Sequence, residues 1–490
     1  MNLAADLAVR AARRGWRDRT AYLSGSARVT HGQVHDLAAR AAHVLARLGL
    51  GPGKRLMLAL PDGPDWIVTF LAAARLGAVL VITNPALTAG DHAHLAQECE
   101  VVVAVAEEPL LTRFGVRAAI GPERLMAQAA AAPVARAHPV APNAPLYIQY
   151  TSGTTGRPAG VVHRHGDLPH HHRAVGTHML RIHENDVSLS VSKLFFAYGF
   201  GNSLVYPLYT GSAAVLLPER PSPARVAELA DRHAVTVLHA VPSALAHLTA
   251  EAAPAAFTRV RVAVSAGERL RPTLAEEARR LLGAPVLDEL GSTEVGGAFC
   301  ANTIGHAVLG TLGRALPGFR VQIRDDELRP ITAPGVEGDL WTTGPTLMAG
   351  YLHQPERTAD ALRGGWLRTG DRAAFDGHGN VVHAGRADDL EMVGGITVSP
   401  LEVEQVLDDH PAVRESAVTA VPDERGATKL RAFVVVQNRS DHDAVARELL
   451  SAARQRLAPF KVPRSVEFVP ALPRTATGKL QRFVLRAGRP

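Results

Sequence analysis

Residues 149–165 read Gln-Tyr-Thr-Ser-Gly-Thr-Thr-Gly-Arg-Pro-Ala-Gly-Val-Val-His-Arg-His. An apolar run from Pro145 to Tyr150 precedes the glycines and predicts a strand. Eight of the eleven residues from Thr151 to Val161 are Gly, Ser, Thr or Pro. Hydroxyls and open backbone N–H groups at this density suit a loop wrapped around phosphate oxygens. The loop is not the GxxxxGK[ST] type of kinases and GTPases, because Gly153 and Gly156 lie three apart and no lysine closes the run. Alone it reads equally as a Gly/Ser surface turn, and the rest of the chain has to decide.

At 490 residues the chain exceeds the roughly 250–300 at which a single core stops growing, which predicts at least two domains. Hydrophobic content of 47% and charged content of 20% are those of a soluble globular protein. The net charge of +6 comes from arginine, since the lysines are only Lys54, Lys193, Lys429, Lys461 and Lys479. Acids are interleaved with the bases, so no arm or stripe suits nucleic acid, while anionic substrates are favoured. Cys99 and Cys300 provide neither a disulfide framework nor a metal cluster. Apolar runs near the start are broken by Arg10, Arg13 and Arg14, unlike a secretory leader. Trp66 to Ile82 contains Arg75 and Gly77 and predicts a helix running into a strand, not a membrane span. The expected location is the cytoplasm, with no membrane partner.

Helix and strand signals alternate. Thr30-His-Gly-Gln33 matches a capping box, and Val34, Leu37, Ala41, Val44, Leu45 and Leu48 recur at helical spacing behind it. Strands are predicted at 55–60, 78–82, 101–105, 213–217, 236–239, 261–265 and 285–287, mostly as unbroken apolar runs of the kind buried on both faces of a sheet. Helices are predicted at 223–233 and 272–282. From Gly318 to about Arg386, turns every eight to twelve residues predict antiparallel strands. Beyond lies a compact α+β pattern: helix 400–409, strands 417–421 and 432–437, helix 442–457 and strand 466–468. The Ala-rich stretch 129–135 reads as an exposed connection. The expected fold class is α/β, with a large N-terminal domain of layered α/β sheets plus an antiparallel β subdomain over residues 1–386, and a small mobile α+β domain over 387–490.

Four further stretches combine charge or hydroxyl with turn glycine: Asp288-Glu-Leu-Gly-Ser-Thr-Glu294, Arg368-Thr-Gly-Asp371, Gly385-Arg-Ala-Asp-Asp389 and Pro473-Arg-Thr-Ala-Thr-Gly-Lys-Leu-Gln-Arg482. With the loop at 151–161, in this order and spacing, they resemble the adenylate-forming superfamily of acyl-CoA synthetases, nonribosomal adenylation domains and luciferases. The run Lys193-Leu-Phe-Phe-Ala-Tyr-Gly-Phe-Gly-Asn202, with Val264-Ser-Ala-Gly-Glu268, is similar to the benzoate-CoA ligase branch. That resemblance implies an enzyme in which a carboxylate attacks the α-phosphate of ATP, releasing pyrophosphate, and the acyl group then passes to the thiol of coenzyme A or of an acyl carrier protein. The cofactors it implies are ATP and Mg²⁺, with coenzyme A as one acceptor.

The resemblance also implies roles. Thr151, Ser152, Gly153, Thr154, Thr155 and Gly156 would hold the ATP phosphates. Thr293 would touch the α-phosphate and Glu294 would bind Mg²⁺, a hard cation suited to a carboxylate. Gly267 and Asp288 would line the adenine, and Asp371 would accept both ribose hydroxyls with Arg386 nearby. Lys479 would bridge the carboxylate and α-phosphate as charge develops there. Asp388 would be the hinge, ahead of a pantetheine tunnel lined by residues 393–396. Phe196, Ala197, Tyr198, Gly199, His239, Ser265, Ala266, Gly291, Gly296 and Gly297 would line the acid pocket.

Three departures stand out. Most relatives have a lysine where Ala159 stands, which removes a charge from the leaving phosphates. Met392 stands where many have a second lysine. Val295-Gly-Gly297 replaces bulkier residues and His239 stands where Phe is common, so the expected acid is larger or more polar than benzoate, such as an amino- or hydroxy-substituted aryl or cinnamyl acid. The histidines at 163, 165, 170, 171 and 172 do not predict a metal centre, because consecutive residues rarely face one ion; His163 or His165 can still act beside the phosphate loop. Two other functions fit the same motifs: activation of nitrite for condensation with an aryl amine, and a degenerate protein that binds nucleotide or acyl ligand without catalysis.

Overall fold

The computed structural model describes the chain apart from residues 152–158, 390, 394–395, 423–427, 437–440, 475–479 and 487–490, and apart from the side chains of 388, 392, 396–397, 422 and 428. It divides into two compact units, Met1–Val321 with Thr342–Leu367, and Gln322–Trp341 with Arg368–Pro490. Residue 387, where the small domain is expected to begin, thus falls inside the second unit. Among the described residues no helix is long and apolar enough to cross a membrane.

Helix His31–Arg47 begins at the expected capping box. The Gln33 N–H donates to Thr30 Oγ1 at 3.2 Å and the Thr30 N–H donates to Gln33 Oε1 at 2.8 Å, satisfying two donors that a helix start leaves open. Its buried face, including Val34, Ala38, Ala41 and Leu45, packs on helices Pro64–Arg75 and Pro122–Ala131. The Ala-rich stretch is an exposed connection only in part: residues 130, 131, 133 and 134 are exposed, while Ala129 and Ala132 are buried. Helix Pro122–Ala131 runs into it, Ala129 is fully buried, and the carbonyls of Ala132 and Ala135 accept from Arg40 and Arg75 at 2.6 and 2.7 Å. Small side chains let this helix lie close against its neighbour, which composition alone does not reveal.

Two sheets build the first unit. The seven-stranded one runs Gly350–Tyr351, Gly160–Arg164, Pro145–Tyr150, Val79–Ile82, Arg55–Ala59, Val101–Ala106, Ala118–Ile120, parallel from Pro145–Tyr150 onward in that order. The nine-stranded one runs Arg314–Ala315, Gly297–Ala301, Val286–Ser292, Val262–Ser265, Val237–Ala240, Val187–Ser190, Ala213–Val215, Thr20–Ser24, Ala27–Thr30. Its middle strands are buried on both faces, as their unbroken apolar runs require. Strand Val286–Ser292 outlasts the predicted apolar segment, since its polar half pairs antiparallel with Gly297–Ala301.

In the second unit, strand Trp366–Phe375 pairs antiparallel with Val381–Arg386, placing Asp371 opposite Arg386. Farther along, helices Pro400–Asp408 and His442–Arg456 accompany a three-stranded sheet of Val413–Pro422, Thr428–Val436 and Ser465–Phe468. Arg482, at the start of the last helix, Arg482–Arg486, closes this layer. Its Nη1 and Nη2 donate to Glu404 Oε1 and Oε2 at 2.5 and 3.0 Å, and Nη1 also reaches the Val418 carbonyl at 2.7 Å. Glu404 in turn accepts from the Val418 N–H at 2.6 Å. With side chains only 10% and 7% exposed, the pair cannot trade its partner for water. Arg482→Ala should lose ~3–5 kcal/mol in chemical denaturation by leaving a buried carboxylate unpaired, whereas Arg482→Met with Glu404→Leu should recover most of it.

Candidate active site

Strand Val286–Ser292 ends in the short turn Thr293–Val295, which presents Glu294 half-buried in the first unit. Its backbone is held on every residue. Thr293 O accepts from His163 Nε2 at 2.7 Å, Glu294 O from the Met348 N–H at 2.8 Å, and Val295 O from Thr346 Oγ1 at 2.7 Å. The Glu294 carboxylate accepts the Tyr351 hydroxyl on Oε1 at 2.9 Å. Burial and that carboxylate push the Tyr351 phenol up, keeping it a donor, and the Arg357 guanidinium lies over its ring at 4.5 Å.

The phosphate-loop residues Ser152, Gly153, Thr154, Thr155 and Gly156 lie outside the described residues, as does Lys479. The neck of the loop is described. Thr151 N–H donates to Ala159 O at 3.0 Å and Ala159 N–H to Thr151 Oγ1 at 3.4 Å, with Ala159 fully buried. Strand Gly160–Arg164 leaves this neck with Val161 opposite Tyr351 and His163 against Thr293. Neck, Thr293 and Glu294 are therefore brought together.

The expected acid-pocket residues cluster at the strand ends of the nine-stranded sheet. Tyr198 donates to the Val264 carbonyl at 3.0 Å, and its ring stands edge-on to His239, centroids 6.0 Å apart. Phe196 packs edge-on to Phe195 at 4.5 Å, and Ala197 opens the short helix Ala197–Phe200. At Gly199 a Cβ would sit 2.2 Å from the Lys193 carbonyl, so only glycine fits. Lys193 itself is structural, its ammonium donating to the carbonyls of Leu217 and Glu219. Ala266 and Gly267 follow strand Val262–Ser265, with Gly267 left-handed at φ +86°.

Several polar atoms here are buried without a protein partner among the described residues: both ring nitrogens of His239, Ser265 Oγ, Asp288 Oδ1 and Ser292 Oγ. Burial takes His239 down to about 3, so its imidazole is neutral. Burial and the neighbouring Glu289 push the Asp288 carboxyl well up. Orphaned polar atoms at this density fit a site that a polar ligand completes.

Gly291, Gly296 and Gly297 do not open the pocket. A Cβ at 297 would lie 2.1 Å from His171 Nε2, one at 296 would lie 3.0 Å from His163 Cε1, and one at 291 would lie 2.6 Å from the Gly297 carbonyl. The space that bulkier residues would need is already filled, by histidines at 296 and 297 and by the main chain of Gly297 and Ala298 at 291. The expectation of a larger acid loses that support; the expectation of a more polar one keeps His239. The histidine run is dispersed, with His163 on Thr293, His171 on Tyr206 at 3.2 Å, His172 stacked on Tyr209 at 5.0 Å and His170 exposed.

In the second unit, Asp371 follows the left-handed Gly370 and is nearly buried. Burial would raise its carboxyl, but the His383 hydrogen bond at 3.2 Å and the Arg386 guanidinium at 3.5 Å outweigh it and hold the carboxyl below its usual range. Arg386 also donates to the Thr369 carbonyl at 3.0 Å. The main chain at Asp388 lies in the short turn Ala387–Asp389. Tyr351, His383 and Asp167, which lies 2.9 Å from His163 Nδ1, were not singled out by sequence. Each reaches its partner across strands or turns, and only its nearness to a motif glycine or histidine hinted at it.

The AMP-binding enzyme family matches residues 9–352, and the AMP-binding enzyme C-terminal domain matches residues 402–479. The p-hydroxybenzoic acid–AMP ligase FadD22 of Mycobacterium tuberculosis is 40% identical over 100% of this chain and 69% of its own length. The benzoate–CoA ligase of Thauera aromatica is 37% identical over 99% of this chain and 96% of its own. The crystal structure of the anthranilate CoA ligase AuaEII with anthranoyl-AMP superposes with a TM-score of 0.93 at 29% identity, covering 100% of this chain and 97% of that one. The chain belongs to the AMP-binding enzyme family and is an adenylate-forming ligase.

Glu289, beside Asp288, is fully buried, and burial takes its carboxyl from 4.5 up to about 8. Between those values the folded chain holds a proton that the unfolded chain has lost, so stability falls as pH rises through the window. Urea unfolding of the wild type at pH 5.5, 6.5 and 7.5 should therefore show a decline of up to ~1.4 kcal/mol per pH unit relative to Glu289→Gln.

Proposed function

We propose that this ligase adenylates an aromatic carboxylate of benzoate size bearing a ring hydroxyl or amino group, then transfers the acyl group to the thiol of coenzyme A or a carrier protein. A carboxylate oxygen attacks the α-phosphorus and the bond from that phosphorus to the α,β-bridging oxygen breaks, pyrophosphate leaving with its electron pair. The thiolate then attacks the acyl carbon and AMP departs. The carrying observation is His239: a buried neutral imidazole with both nitrogens unpartnered, edge-on to Tyr198, where an apolar ring alone would leave it unsatisfied. Two of the relatives described above, the p-hydroxybenzoic acid–AMP ligase and the anthranilate CoA ligase, agree with it, while the third is a benzoate ligase.

The residues fit the groups this chemistry needs. Glu294 offers a carboxylate fixed at one oxygen by Tyr351, a hard donor suited to Mg²⁺, which would neutralise phosphate charge. Asp288 and Ser292 supply orphaned polar atoms for the nucleotide, and Ser265 one for the acid pocket. Asp371, kept ionised by His383 and Arg386, is suited to ribose hydroxyls. Lys479 would meet the developing charge, and Asp388 would turn the small domain between half-reactions. Ala159 supports a grip made of hydroxyls and backbone amides.

The test is pyrophosphate release with ATP, Mg²⁺ and a panel of benzoate, 3- and 4-hydroxybenzoate, 2-aminobenzoate and cinnamate. A ring-substituted benzoate should be the best substrate, and failure of every acid overturns the reading. His239→Phe should shift kcat/KM toward benzoate by ~10–100-fold, because it removes the polar atoms while keeping an aromatic ring.

A further inference from the structure

His163 lies on strand Gly160–Arg164, which leaves the neck of the phosphate loop, and Asp167 opens the short helix Asp167–His171 that follows it. His163 is fully buried and its ring stacks on Tyr147, centroids 5.0 Å apart and planes 22° from parallel. A carbonyl oxygen only accepts, so the 2.7 Å contact with Thr293 O requires a hydrogen on Nε2. Nδ1 faces Asp167 Oδ2 at 2.9 Å, and that same oxygen accepts the Arg164 N–H at 2.9 Å. Asp167 is itself buried. The ring is therefore fixed by a stack, a carboxylate and the sheet, and its one remaining donor points at the residue before Glu294.

The geometry points to His163, oriented by Asp167, as a positioning residue that sets the Thr293–Glu294 turn for adenylation. Two features favour this over plain packing. The turn is short and glycine-flanked, with Gly296 left-handed at φ +75° and closed against the same imidazole. The Glu294 side chain meanwhile is tied to Tyr351, which lies opposite Val161, two residues before His163 on the same strand. One strand thus holds the turn by backbone and by side chain, and carries the phosphate loop at its other end. A shift of this strand and a shift of Glu294 become one movement.

This inference rests on the reading that Thr293 and Glu294 serve the α-phosphate and the metal, and its test separates the two. His163→Phe keeps the stack on Tyr147 and removes both hydrogen bonds, while His163→Gln keeps one side-chain N–H able to reach Thr293. Three readouts are compared: binding of α,β-methylene-ATP with and without Mg²⁺, aryl-acid-dependent ATP–pyrophosphate exchange, and thioester formation from supplied aryl-AMP. In His163→Phe, exchange should fall ~10–100-fold and most of the Mg²⁺-dependent gain in nucleotide affinity should vanish, with thioester formation retained and His163→Gln intermediate. Equal loss in both half-reactions, or an unchanged Mg²⁺-dependent gain, overturns the inference. If the wild type exchanges with no aryl acid, the proposed function falls, and the binding measurement alone decides the role of His163.

Discussion

A single hydrogen bond, from His163 Nε2 to the Thr293 carbonyl, spans 130 residues of chain and joins the seven-stranded sheet to the end of a strand in the nine-stranded one. Phosphate chemistry demands that a metal-binding carboxylate and a phosphate-gripping loop keep a fixed separation. A three-residue turn cannot secure that separation by itself, because so short a segment closes no sheet or α-helix of its own. The molecule meets the demand by hanging both on strand Gly160–Arg164, whose pairing with Pro145–Tyr150 and Gly350–Tyr351 makes it stiff.

Inside the first unit, buried polar groups stand on helices as well as on strands. His35, His165, His171 and His172 are each taken down to about 4 by burial, so this histidine-rich interior is largely uncharged at neutral pH. Charge is kept where partners surround it, as in Asp186, which Arg261 grips through two nitrogens at 2.7 and 2.8 Å. Among the described residues His239 and His165 are both buried with neither ring nitrogen partnered, and His239 is the one that stands edge-on to Tyr198.

Much of this was legible in the sequence. The Thr30 capping box, helix Pro272–Leu282 and the apolar strands are local patterns, and local patterns survive folding because each is stable in the context it predicts. The order of the motifs carried the family. What the sequence left hidden is of another kind. The Tyr351 bond to Glu294 spans 57 residues and the His383 bond to Asp371 lies across a hairpin, so each depends on register that no periodicity encodes. The polar continuation of strand Val286–Ser292 was missed because Asp288 and Glu289 do not look like strand residues; pairing with Gly297–Ala301 overrides their propensity. Gly296 and Gly297 suggested empty space, and only the fold shows histidines in it.

The neck formed by Thr151 and Ala159 carries a consequence for how this enzyme can vary. There the Thr151 N–H meets the Ala159 carbonyl and the Ala159 N–H meets the Thr151 hydroxyl, so the ladder's register is set just before Gly160. One residue added between Gly160 and His163 would undo that register. With a period of two, every later side chain would change faces, sending His163 away from Thr293 and Val161 away from Tyr351. Length beyond this residue pair is thus locked to the single residue.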